Sequence, residues 1–142
     1  MGRRGAREGG AMQTPVLDQG LPAVDGAAAS AREATRGFLT DAARARPPRH
    51  QGSADIVLLV VGELVANAIR HTNGPCTLHL ALDGEDIAIA VADTSPDRPQ
   101  PRPPHTDGTG GWGWILINQL ATNVHIEPTP GGGKTVRTRV PW

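Results

Sequence analysis

Between Ile56 and Ile69 almost every position is aliphatic or small, and two polar side chains, Glu63 and Asn67, interrupt the run. The pattern predicts a helix, capped by Ser53 or Asp55 and ending near Asn73-Gly74. A helix that is apolar nearly all round is expected to be buried. Glu63 and Asn67 are spaced i, i+4, so they share one face about a turn apart. A carboxylate and an amide taken out of water need partners. Two readings stay open on this window: a core helix whose polar pair bonds to neighbouring backbone, or a helix facing a pocket that holds a metal and a polar ligand.

Upstream, Val16 to Val24 reads as a short strand interrupted by Gly20 and Pro22. Ala31, Ala34, Phe38, Leu39 and Ala42 form an apolar stripe at helical spacing. Ser30 followed by Glu33 has the form of a capping box, which predicts a helix from Ser30 to about Arg46, stopped by Pro47-Pro48. Downstream the period changes to two. Leu78, Leu80 and Leu82 alternate on one strand, Ile87, Ile89 and Val91 on the next, and Asp83-Gly84 begins the turn between them. Asp93 continues the apolar phase of the second strand. An acid on the core side of a strand end is not an ordinary solvated charge, so Asp93 is read as facing a pocket, against the alternative that it starts a turn.

Residues 94–107 carry Pro96, Pro99, Pro101, Pro103 and Pro104, which excludes regular structure. Gly108-Thr109-Gly110-Gly111-Trp112-Gly113-Trp114 then leads into Ile115, Leu116, Ile117 and Leu120, a glycine-rich loop opening a helix. Thr122 to Glu127 reads as a strand, Gly131-Gly132-Gly133 as a turn, and Thr135 to Val140 as a final strand with Val136 and Val140 in phase. Mixed helices and hairpin-linked strands predict an α+β two-layer sandwich: a mixed, mostly antiparallel sheet with helices on one face. Residues 1–14, rich in Gly and Arg, are expected to be a disordered tail, and 15–142 a single domain.

Composition narrows the function classes. Fourteen basic and fourteen acidic residues give a formal net charge of +0, which removes the electrostatic case for nucleic acid or an anionic membrane. Aromatic residues make up 3%, so the core has to be aliphatic. Cys76 is the only cysteine, which excludes a disulfide framework and a cysteine zinc site and agrees with a cytoplasmic setting. The apolar run is too short to span a bilayer, and the basic start leads into no apolar signal segment. His50, His71, His79, His105 and His125 are scattered without metal-ligand spacing.

Two stretches suggest phosphate binding, in three readings. Gly133-Lys134-Thr135 has the end of a P-loop, but Pro128 stands where its first glycine is needed and a strand follows instead of a helix. Gly108-x-Gly110-x-x-Gly113 matches the dinucleotide fingerprint, with Glu127 downstream, but no βαβ unit surrounds it. The same glycines, read physically, bring backbone N–H groups and a helix N-terminus toward an anion, a plausible polyphosphate cradle. A plain hinge is the alternative, and Trp112 and Trp114 are read as helix residues packing on the sheet.

Glu63-Leu64-Val65-Ala66-Asn67-Ala68-Ile69-Arg70-His71, Val91-Ala92-Asp93-Thr94-Ser95-Pro96 and Gly111-Trp112-Gly113-Trp114, in that order, resemble the N box and the two glycine boxes of the gyrase, heat-shock chaperone, histidine kinase and mismatch-repair (GHKL) ATPases. Within that superfamily the chain looks most like the single-domain bacterial serine/threonine kinases that act as anti-sigma factors. The resemblance implies ATP and Mg²⁺ as cofactors. Asn67 would ligate the Mg²⁺, Glu63 would be the general base, and Asp93 would accept a hydrogen bond from the adenine amino group. Backbone at Gly111 and Gly113 would hold phosphates, residues 94–107 would form the lid, and Thr135 would stand near the adenine. The implied partners are a sigma factor and an antagonist protein, and a homodimer is left open. Departures accompany it. Ser95 stands where the family has glycine, Trp112 and Trp114 replace a basic or small residue and an aliphatic one, and Lys134 holds the place of the family threonine, with Thr135 one position late. These departures motivate a second class of function, a non-catalytic module that binds nucleotide or only a partner. A third, a detached histidine-kinase catalytic domain, would need a phosphoacceptor helix pair for which no segment is spare.

Overall fold

A computed structural model describes residues 14–71, 74–94 and 113–142, without the side chains of residues 71, 114 and 116. The elements follow in the order β1 (Val16–Leu21), α1 (Ala27–Ala45), α2 (Ser53–His71), β2 (Cys76–Asp83), β3 (Asp86–Asp93), α3 (Gly113–Leu120), β4 (Thr122–Pro128) and β5 (Lys134–Pro141). Residues 95–107 of the expected lid, the glycines before 113 and the expected end of α2 at Asn73 lie outside the described residues.

The strands form one sheet in the order β1-β2-β3-β5-β4. All four pairings are antiparallel, so the expected mixed sheet is antiparallel throughout among the described residues. The alternation read from the sequence sets its faces. Leu78, Leu80, Leu82, Ile87, Ile89 and Val91 are all buried toward the helices. Gly84, at a φ of 62°, makes the tight β2–β3 turn.

The helices cover one face. α1 packs on α2 and β1, while α2 lies over β3 and β5 and touches α3. In α2 the buried stripe is Val57, Val60, Val61, Leu64, Val65 and Ala68, recurring at i+3 and i+4. The expectation of a helix buried all round is corrected here. Leu59 is 37% exposed, and Glu63 and Asn67 are half-buried at the border of the stripe. Successive residues turn by about 100°, so positions 63 and 67 sit beside the sheet-facing row of 57, 60, 61 and 64 and not within it.

α1 begins earlier than its sequence suggests. Its N-cap is Gly26, at a φ of 88° and with no side-chain cap. Ser30 lies inside the helix, its N–H bonded to the Gly26 carbonyl at 2.9 Å, so no capping box forms, and Glu33 pairs with Arg36 instead. Alanines 27 to 29 carry helix propensity back to the glycine, and burial of Ala27 and Ala31 holds the added turn against the core. At the other end of the chain Trp142 is 2% exposed. Its indole N–H donates to the Arg46 carbonyl at 2.8 Å, and its backbone N–H donates to the Glu85 carbonyl at 2.9 Å. That side chain closes the α1 end of the core, a role that its position after the last alternating strand did not signal.

Candidate functional site

The register of β3 and β5 decides which side chains meet below α2. Asp93 stands opposite Lys134, and Val91 opposite Val136. Directly opposed residues on neighbouring antiparallel strands share a face, so both charged groups project to the helix side. Asp93 is 7% and Lys134 4% exposed. The Lys134 ammonium lies 2.9 Å from Asp93 Oδ2 and 3.1 Å from Oδ1, so the buried acid expected from strand phase is met by a buried base.

This pair is part of the lining of a cavity formed by Leu64, Asn67 and Ala68 of α2, Val91 and Asp93 of β3, and Lys134 and Val136 of β5. The aliphatic walls make a low-dielectric slot with three polar groups in it. Its enclosed part is about 10 Å³, room for a single water, so a ring-sized ligand enters only as a wall moves. The Gly133 backbone comes so close behind Asp93 that a Cβ there would stand 1.9 Å from the Asp93 carbonyl oxygen. The turn from β4 into β5 thus needs glycine at 133 to bring Lys134 into place.

Asn67 lines the cavity from above. Its Oδ1 accepts a hydrogen bond from Arg70 Nη1 at 3.0 Å, one turn along α2. Glu63, a turn earlier, is half-buried and is not one of the lining residues. Gly113 is the first residue of α3, a helix of eight residues that buries Ile117. Gly111 lies outside the described residues.

Thr135 is displaced from the site the sequence assigned to it. It pairs with Ala92, on the face away from α2, and its hydroxyl lies 2.9 Å from that of Thr129. It does not line the cavity. Side chains alternate along β5, so the position beside Asp93 belongs to Lys134. The signal for this residue was present in the sequence: Lys134 is in phase with Val136 and Val140, as anomalous for a lysine as Asp93 is for an acid.

Cys76, at the start of β2, is buried. Burial first, and the charge of Asp93 second, push its thiol up to about 11, so it stays neutral at ordinary pH.

The donor set bears on the groups a nucleotide site would hold. Among the described residues no group of three or more His, Cys, Asp or Glu could hold a metal ion. Asn67 offers one neutral oxygen. That suits Mg²⁺ only where phosphates and water complete its shell and where Arg70 releases the amide. The apolar slot with a hydrogen-bonding pair in its lining suits the edge of a flat heterocycle.

Three comparisons bear on this arrangement. The model of a family described as the histidine kinase-like ATPase domain matches residues 24–140. Among solved structures, the crystal structure of the RsbU and RsbW domains of Rv1364c from Mycobacterium tuberculosis aligns with a TM-score of 0.63 at 22% identity. The alignment covers 90% of this chain and 32% of that one, so the likeness concerns the fold and about a third of the neighbour's length. Comparison with curated proteins finds none that matches.

Proposed function

The chain belongs to the histidine kinase-like ATPase domain family, and from that premise we propose that it is an ATP-binding regulatory protein of the anti-sigma-factor type, phosphorylating a serine or threonine of an antagonist protein and binding a sigma factor. The observation that carries the reading is the convergence of Asn67 from α2 and Asp93 from β3 on one cavity, although they are 26 positions apart in sequence. In this reading Asp93 accepts from the adenine amino group, and the Asn67 amide oxygen would be the protein's ligand to a magnesium ion. Backbone N–H groups at Gly111 and Gly113 hold phosphate oxygens. The ion, when bound, neutralises charge on the transferring phosphoryl group. Glu63 takes the proton of the attacking hydroxyl as that oxygen bonds to the γ-phosphorus and the bond to ADP breaks.

The test separates binding from transfer. Calorimetry with Mg-ATP is expected to show binding by the wild type and its loss in Asp93→Asn. Transfer of labelled phosphate to an antagonist protein, identified by pull-down, is expected to disappear in Glu63→Ala while ATP binding persists. No binding by the wild type removes the ATP reading, and unchanged transfer removes the role of Glu63.

A second reading, a non-catalytic module of the same fold, is favoured by Glu63 standing outside the cavity lining. It expects nucleotide or partner binding with no transfer to any captured protein.

A further inference from the structure

The buried pair in the lining of the cavity calls for a reason. An ion pair among aliphatic side chains is weak evidence for stability, because desolvation offsets most of the attraction. Leu64, Ala68, Val91 and Val136 around it could be joined by two more apolar residues. What the pair supplies and apolar residues cannot is a hydrogen-bond acceptor directly beside a donor, at 2.9 Å, in the lining of a cavity that a ring can enter as a wall moves. The edge of adenine carries the complement in the same order: the exocyclic amino group donates, and the adjacent ring nitrogen N1 accepts. Asp93 and Lys134 together present what thymine presents to adenine in a base pair.

We propose that Lys134 is a base-contacting, specificity-determining residue, donating to adenine N1 while Asp93 accepts from the amino group. This rests on the reading of the cavity as the ATP site and names what reads the base there. An ammonium has three donors, so Lys134 can keep the carboxylate and still turn one N–H to the ring. Guanine in the same pose sets its O6 acceptor against the Asp93 carboxylate and its N1–H donor against the ammonium, a mismatch at both positions. The pair thereby favours adenine through repulsion as well as attraction.

The experiment deletes one acceptor from the ligand. Calorimetry in Mg²⁺ compares ATP with 1-deaza-ATP, in which a CH replaces N1, on the wild type and on Lys134→Met. A hydrogen bond to a charged donor predicts that the wild type binds 1-deaza-ATP ~10-fold or more weakly than ATP, and that Lys134→Met binds the two about equally. The ATP-to-GTP comparison on the wild type carries the same expectation and needs no variant to fold. Equal affinity of the wild type for ATP and 1-deaza-ATP overturns the inference and leaves the ATP site standing, as does comparable affinity for GTP. Retention of the full preference by Lys134→Met overturns it too. A wild type that binds ATP not at all overturns this inference and the ATP reading together.

Discussion

Removing the ammonium of Lys134 while Asp93 stays in place would leave a carboxylate in a slot walled by Leu64, Ala68, Val91 and Val136. Two unit charges at the observed 2.9 Å attract by about 6 kcal/mol at an effective dielectric constant of about 20. The cost of taking both ions out of water cancels most of this, so the intact pair contributes little net. The asymmetry appears when one partner goes, because the carboxylate keeps its desolvation cost and loses its compensation. Lys134→Met is therefore expected to destabilise the fold by about 3–5 kcal/mol, a fall in Tm of roughly 10–20 °C for a domain of this size. Lys134→Met combined with Asp93→Leu removes both charges and is expected to recover to within about 1 kcal/mol of wild type. Urea unfolding followed by circular dichroism measures the two single variants, Lys134→Met and Asp93→Leu, and the double variant, and the double-mutant cycle isolates the coupling. A single substitution costing under about 1 kcal/mol, or a double variant as unstable as the two singles added, would refute the closed low-dielectric pair described above.

Two further outcomes test the surroundings of the pair. Gly133→Ala places a methyl group 1.9 Å from the Asp93 carbonyl. Backbone must shift to relieve that, so a loss of about 3 kcal/mol or more is expected in thermal unfolding, and ordinary stability in that variant would mean the turn does not approach β3 as described. The Cys76 thiol is held up to about 11 against an ordinary 9.0, so the native state binds this proton more tightly than the unfolded chain does. Its contribution is complete below pH 9 and is lost as pH rises through 11. Between pH 8 and 10.5 the wild type should lose about 2 kcal/mol more than Cys76→Ala, and parallel pH profiles of urea midpoints for the two proteins would contradict it.

Local periodicity carried much of the architecture. Alternation in 78–82 and 87–91 dictates which side of β2 and β3 is buried, whatever covers it, because a pleated strand turns every second side chain the same way. The same rule placed Asp93 on the core side. Helix starts were less legible. Ser30-x-x-Glu33 has the residues of a capping box, yet Gly26 and the alanines after it start α1 four positions earlier, since core contacts outweigh one side-chain hydrogen bond. Asn67 and Glu63 share a helix face by spacing alone, but only the packing of α2 over β3 and β5 puts Asn67 on the cavity and leaves Glu63 beyond its lining.

The composition of the site was decided in three dimensions. Asp93 and Lys134 are 41 positions apart, and nothing local to either names the other. Their meeting depends on the antiparallel register of β3 with β5 and on the turn at Gly133. A shift of one residue in that register would bring Thr135 under α2 and turn Lys134 outward, because side chains alternate across the sheet. The chain by itself determined that a helix with two polar residues and a strand ending in an inward acid must be accommodated. Only tertiary pairing decided that a lysine answers the acid, since register is a property of two strands packed on one core.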